Sequence, residues 1–247
     1  MNAAAYQGVL RRVAIFTGLF SIFLLGVVTE RMNLVVDITQ NYWDDITYLM
    51  VEYIYLVLIS GGLAILVGVP LGILLSRPFM LRYSEGVMQV FNIGTTLPSL
   101  AILALSMSFL GIGKTPAIFA LWVATLLPIV RNSYTGLRAV PSFLLEAARG
   151  MGMTPGQLLL RVEIPNGLYV IFAGIRTGIA INIGTAPLAF LIGGGGLGEL
   201  IFTGISLNEL GMMLSGAIPV AFLAVLTDFL LGQIQRFTVS KGVNPDA

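Results

Sequence analysis

Residues Glu146 to Pro165 read Glu-Ala-Ala-Arg-Gly-Met-Gly-Met-Thr-Pro-Gly-Gln-Leu-Leu-Leu-Arg-Val-Glu-Ile-Pro, a polar, glycine-punctuated island in an otherwise apolar chain. Just before it, Pro141 and Ser142 offer a helix start. Phe143, Leu144, Ala147, Ala148 and Met151 then recur at helical spacing, which predicts a short helix with one small, apolar face. Gly150 and Gly152 interrupt it. Thr154, with Pro155 at the first helical position and Gln157 at the third, makes a capping-box arrangement, so a second helix is expected from Pro155 to about Glu163, closed by Pro165. The product is helix, glycine turn, helix. Such a unit transmits a push because it is rigid on both sides of one bend, and the small side chains of Ala147 and Ala148 admit another surface closely. An ordinary cytoplasmic loop with two amphipathic turns is the plainer alternative; the full spacing from Glu146 to Pro165 favours a docking element.

Of the 247 residues, 57% are apolar and 10% charged, and the mean hydropathy is +0.93. These values describe an integral membrane protein. A helix needs roughly 20 apolar residues to cross a hydrocarbon core of ~30 Å, which leaves room for about six spans and none for a soluble catalytic domain. Cysteine and histidine are both absent. That removes disulfides, thiol nucleophiles, the commonest zinc ligands and the commonest general base at neutral pH, so neither a catalytic nor a metal site is expected. A net charge of +1 implies no polyanionic partner such as nucleic acid.

The apolar runs place spans at about 13–29, 50–75, 86–110, 116–133, 168–192 and 210–234. The first follows Arg11 and Arg12 in the manner of a signal peptide, but it lacks a small-residue cleavage site and further spans follow, so a retained helix is expected. Arg11, Arg12, Arg77, Arg82, Arg131, Arg138, Arg149, Arg161, Arg236 and Lys241 fall on one side of this layout, with Arg31 and Lys114 on the other. By the positive-inside rule both termini are cytoplasmic. The segment from Glu30 to Asp45, with Glu30, Asp37, Asp44 and Asp45, is then external, and residues 134–166 are cytoplasmic, where a soluble partner reaches them.

The spacing of Glu146-Ala147-Ala148, Gly152 and Val162-Glu163-Ile164-Pro165 resembles the EAA loop of bacterial ABC importer permeases, the segment that seats in a groove of the ATPase subunit. Residues from about Tyr48 to Arg236 are similar to the core of the osmoprotectant subgroup, which imports glycine betaine, choline, carnitine and related quaternary ammonium compounds. The phrases that carry this are Gly68-Val-Pro-Leu-Gly-Ile-Leu-Leu-Ser-Arg77, Thr96-Leu-Pro-Ser-Leu-Ala101, Leu110-Gly-Ile-Gly113, Gly174-Ile-Arg-Thr177 and Leu191-Ile-Gly-Gly-Gly-Gly-Leu-Gly-Glu199. Pro187 departs from the subgroup, which usually has a different small residue there.

The resemblance implies an all-α, polytopic protein of type I ABC importer permease fold in the bacterial inner membrane. Residues 1–247 would form one transmembrane permease domain, with an extra span at about 13–29, a core at about 48–236 and a coupling loop at about 134–166. Glu146, Ala147, Ala148, Arg149, Gly152 and Pro165 are the implied ATPase-coupling residues. ATP and Mg would be bound by separate ABC ATPase subunits, and this chain would need no cofactor. A second permease completes the pore, a heterodimer being slightly favoured over a homodimer. No binding domain follows before Ala247, so a separate extracytoplasmic binding protein is expected to hold the aromatic cage that selects the substrate. Permeases for methionine or another amino acid share the EAA loop and a Gly-Gly-Gly-Leu-Gly phrase, and they are the nearest rival. A stand-alone secondary carrier would show an inverted repeat or an intramembrane acidic relay, and neither is evident.

Several residues inside the spans are candidates for the translocation path. Thr95, Thr96 and Pro98 either line it or serve helix-to-helix hydrogen bonding, since a proline there frees carbonyls that need polar company. Asn182 and Thr185 are polar residues within the fifth span. Gly68, Pro70 and Gly72 read foremost as close packing with a tolerated kink. Gly193, Gly194, Gly195 and Gly196 lack the Lys-Ser/Thr ending of a nucleotide loop and read as a flexible turn and gate hinge. Tyr42, Trp43, Tyr48, Tyr53 and Tyr55 suit an interfacial aromatic belt. Arg176 lies about ten residues past Pro165, roughly 12–15 Å into the membrane along a helix. Asp228 in the last span is its expected partner, and an ion pair or inner gate is favoured over direct substrate contact because a cation repels quaternary ammonium.

Overall fold

The computed structural model describes residues 17, 18, 20–22, 38, 40–94 and 96–239. Most of the expected span at about 13–29 lies outside them, as do Arg11, Arg12, Glu30, Arg31, Asp37, Thr95 and Lys241. Regular structure in the described residues is helical: α1 (Trp43–Leu75), α2 (Leu81–Gly94), α3 (Ser99–Leu110), α4 (Lys114–Arg138), α5 (Ser142–Gly150), α6 (Pro155–Leu158), α7 (Ile164–Thr185), α8 (Gly198–Leu207) and α9 (Leu210–Thr238). A π turn at Leu159–Glu163 joins α6 to α7, and a 3₁₀ segment at Ala186–Ile192 follows α7. Four helices in this set have the length and hydropathy to cross a bilayer: α1, α4, the rod Pro155–Ile192 and α9.

Two expectations need correction. The span expected at 86–110 is two helices, α2 and α3, bent by 101°. Pro98 causes the break: it has no N–H to continue the helix, and it sits in an extended conformation at the start of α3. Nor does Pro165 close a helix. Helical structure runs from Pro155 through Ile192, and the wide π turn just before Pro165 accommodates a residue that cannot donate to the carbonyl four positions earlier. The second helix of the Glu146–Pro165 island and the fifth span are therefore one continuous rod.

Helix α4 sits at the centre, packed on α1 along one side and α7 along the other. Glycines bring the backbones together. A Cβ on Gly72 would lie 2.5 Å from the Ser133 Cβ and 2.8 Å from the Val130 carbonyl, and one on Gly174 would lie 2.4 Å from the Asn132 Cβ. Gly68 and Gly178 press on Ile129 from opposite sides. These contacts bear out the packing reading of Gly68 and Gly72, and they are the means by which membrane helices associate where apolar burial alone gives no advantage over lipid. We expect Gly72→Val to force α1 and α4 apart at a cost of about 1–3 kcal/mol, read as a lowered unfolding temperature in detergent.

A second pair of close crossings joins α8 to α9. The sequence gives α8 no distinct signal because its ten residues are apolar and short. A Cβ on Gly204 would meet the Met213 nitrogen at 2.4 Å, and one on Gly216 would meet the Leu197 carbonyl at 2.7 Å.

Candidate functional site

The chain has a basic end, where Arg77, Arg138, Arg149 and Arg161 gather, and an opposite end at Lys114 and the glycine run. The helix, glycine turn and helix from Ser142 to Glu163 lie at the basic end. Helix α5 starts at Ser142 as its sequence requires, and it stops in a Schellman arrangement. The Met153 N–H donates to the Ala148 carbonyl (3.2 Å) and the Gly152 N–H to the Arg149 carbonyl (2.9 Å). Gly152 has φ +79°, the left-handed conformation that closes this motif and that side chains disfavour. The capping box expected at Thr154 is present. The Thr154 N–H donates to Gln157 Oε1 (3.0 Å), and the Gln157 N–H donates to Thr154 Oγ1 (3.4 Å).

The apolar residues of α5 divide between two faces rather than forming one. Ala148 is 1% exposed and turned inwards, with α5 packed on the π turn. Phe143, Ala147 and Met151 are exposed, one turn apart, and leave an apolar stripe without a covering element among the described residues. Glu146 and Arg149 are exposed beside it.

Sequence reasoning missed the link from this unit to the membrane core. Glu163, at the end of the π turn, is paired with Arg77 at the basic end of α1. Arg77 is held in turn by Ser76 Oγ (2.8 Å from Nη2) and the Ile73 carbonyl (3.2 Å from Nε). The two side chains are 17% and 10% exposed. Both residues stood in quoted motifs, but nothing in one dimension pairs positions 86 apart.

At the opposite end, the glycine run forms a turn braced by Glu52. Gly193, Gly195 and Gly196 have φ of +77°, +76° and +83°. A Cβ on Gly195 would lie 2.4 Å from Glu52 Oε2, and the Gly196 N–H donates to that same oxygen (3.3 Å). Lys114 Nζ donates to Glu52 Oε1 (2.6 Å), and the Gly113 N–H donates to the Ile192 carbonyl (2.8 Å). Glu52 thus ties α1, α4 and the glycine turn together, a role its lone position among apolar residues did not announce.

Asn182 is fully buried, away from any surface of the chain, where its Nδ2 donates to Ser60 Oγ (2.8 Å) and Thr125 Oγ1 (2.7 Å). It pins the α1–α4–α7 crossing. The Thr185 hydroxyl is bonded to the carbonyl of Ile181 (2.8 Å). Tyr53 separates from the aromatic belt: it is 1% exposed and donates to the Ile183 carbonyl at 2.5 Å. Pro187, four residues on, has no N–H for that carbonyl, so the tyrosine supplies the missing donor. Trp43, Tyr48 and Tyr55 remain exposed. Thr96 is exposed, its hydroxyl bonded to the Ile93 carbonyl (2.7 Å), and Pro98 begins α3 beside it.

Arg176 and Asp228 are paired as their positions suggested. Arg176 Nη2 donates to both Asp228 oxygens at 2.9 Å, Nε to Oδ1 at 3.0 Å, and Nη1 to Gln235 Oε1 at 3.1 Å. The guanidinium lies over Gly232, where an added Cβ would be in ordinary contact with it at 3.7 Å. The pair opens onto a cleft of about 580 Å³ between α7 and α9.

Residues 68–239 match the family described as binding-protein-dependent transport system inner membrane component. The osmoprotectant import permease protein OsmY of Salmonella typhimurium is 47% identical over 96% of this chain and 97% of its own length. The glycine betaine/carnitine/choline transport system permease protein OpuCB of Bacillus subtilis is 43% identical over 86% of this chain and 97% of its own. Among solved structures, an inward-facing conformation of the MetNI methionine ABC transporter superposes with a TM-score of 0.67 at 25% identity, covering 78% of this chain and 98% of that one. The fold is that of a type I ABC importer permease, and the chain belongs to the family of binding-protein-dependent transport system inner membrane components.

Proposed function

We propose that this chain is one transmembrane half of an ATP-driven importer for small osmoprotectants carrying a quaternary ammonium group, such as glycine betaine, carnitine or choline. The observation that carries the reading is the end-to-end similarity at 47% identity to an osmoprotectant import permease. The exposed α5 stripe of Phe143, Ala147 and Met151 supports a docking role, with Glu146 and Arg149 giving polar contacts at its side. The ATPase partner binds ATP and Mg and performs the hydrolysis. A second permease, slightly favoured to be a different chain, closes the pore, and a separate extracytoplasmic protein delivers the solute. Both termini and the coupling unit face the cytoplasm, and the protein spans the inner membrane. An amino-acid substrate is the second reading, favoured by the likeness to the methionine transporter.

The mechanism follows the braces. ATPase closure displaces α5; the Schellman turn at Gly152 passes the displacement to the rod; Glu163 passes it through Arg77 to α1. At the far end of α1, Glu52 holds the glycine turn, so motion of the rod against α1 reaches the opposite side of the membrane.

The test is uptake by vesicles containing both permeases, the ATPase and the binding protein. Labelled glycine betaine accumulates with internal ATP; accumulation of methionine with none of glycine betaine overturns the substrate. Topology is tested separately. Because the chain has no cysteine, Ile112→Cys and Gln157→Cys report sidedness cleanly, the former labelled from outside and the latter from the cytoplasm. Labelling of both from one side contradicts the orientation.

A further inference from the structure

The Arg176–Asp228 pair is more open than an ion pair between two membrane spans should be. Its side chains are 35% and 52% exposed, on helices that each have the length and hydropathy to cross a bilayer. Ionic groups at such depth do not face hydrocarbon; they face water or protein. Tyr169, Ala173, Thr177 and Ala180 follow one face of α7, and the small side chains of Ala173, Thr177 and Ala180 leave the volume beside the tyrosine open. The cleft's size of about 580 Å³ lies within the roughly 300–1,000 Å³ usual for small-molecule sites.

We propose that this cleft is a subsite of the translocation path that takes a zwitterion, namely a carboxylate joined by a short spacer to a trimethylammonium group. The inference rests on the importer reading and specifies which atoms meet the solute. Arg176 and Asp228 present a positive and a negative group side by side, and a zwitterion lying antiparallel to them meets an opposite charge at each end. The solute carboxylate takes the Nη1 donor, which is bonded to the neutral Gln235 amide oxygen at 3.1 Å. The trimethylammonium group lies against the free lone pairs of Asp228 and the ring of Tyr169. This resolves the objection that Arg176 repels quaternary ammonium. The repulsion acts on a bare cation, and the solute's own carboxylate cancels it. The subsite therefore prefers glycine betaine or carnitine to choline, which has no carboxylate.

The experiment uses the whole complex, its partner subunits made cysteine-free, with Thr177→Cys in this chain. The probe is 2-sulfonatoethyl methanethiosulfonate, a charged, membrane-impermeant thiol reagent, added from the cytoplasmic side in nucleotide-free complex without binding protein. The cysteine is expected to react, and saturating glycine betaine is expected to slow the reaction relative to osmotically matched sucrose. Choline should protect less, and Asp228→Asn should abolish the protection by glycine betaine. Three results overturn the proposal. An unreactive cysteine places this face against lipid or protein; reaction unaffected by glycine betaine leaves the cleft without a ligand; equal protection by choline removes the zwitterion preference. ATP-driven glycine betaine uptake by the unmodified complex tells separately whether the importer reading stands.

Discussion

Gly152→Trp is expected to abolish ATP-driven uptake while the chain still inserts and accumulates at its normal level. The residue has φ +79°, where an L side chain costs roughly 1–2 kcal/mol, so the turn that fixes α5 against the rod is rebuilt. Nothing lies within 4 Å of a Cβ added there, so the damage is to the angle of the bend and not to the packing of the core. Glu146→Lys should act on the same step differently, by reversing a charge on the exposed side of α5. Both variants are expected to recover less ATPase on purification and to lose solute-stimulated ATP hydrolysis together with uptake. Transport by both at the unmodified rate would remove α5 and its turn from the coupling step.

The second large effect is expected at Glu163. Its removal as Glu163→Ala leaves the Arg77 guanidinium largely buried without a counter-charge, a loss of about 3–5 kcal/mol for pairs of this kind. Loss of folded transporter should follow, seen as a lowered unfolding temperature in detergent. The double variant Arg77→Met, Glu163→Leu should recover much of that stability, because it removes both charges at once. The double variant then isolates the coupling role: stable, ATPase-bound, and slow in transport if the pair carries motion from the rod to α1. Full transport by the double variant would reduce the pair to a structural contact.

Local signals in the sequence survived into the structure where the cause was itself local. Thr154 and Gln157 cap each other because the two groups lie three residues apart, and Gly152 turns because only its own backbone decides it. Arg176 and Asp228 were also legible, since two lone charges in two spans have few other partners. The errors came from prolines. Pro165 looked like a stop, yet a π turn absorbs it; Pro98 was placed inside a single span at 86–110, yet it separates α2 from α3 at 101°. The remaining misses are contacts between distant positions. Tyr53 left the aromatic belt to serve the carbonyl that Pro187 cannot, and Asn182 lies in the core bonded to Ser60 and Thr125. Glu52 and Glu163 had no sequence neighbour to betray their roles, because their partners Lys114 and Arg77 are supplied by the packing of other helices.

The central claim is that the exposed face of α5 meets the ATPase. Its most direct measurement is site-specific cross-linking from Ala147→Cys in the assembled complex, with a short thiol-to-amine reagent that spans only neighbouring surfaces. A covalent product with the ATPase is predicted from Ala147→Cys, with its yield changing between nucleotide-free and ATP-bound complex, and none from Ile112→Cys at the other end of the molecule. An ATPase product from Ile112→Cys, or none from Ala147→Cys in a complex that still imports solute on ATP, would contradict it.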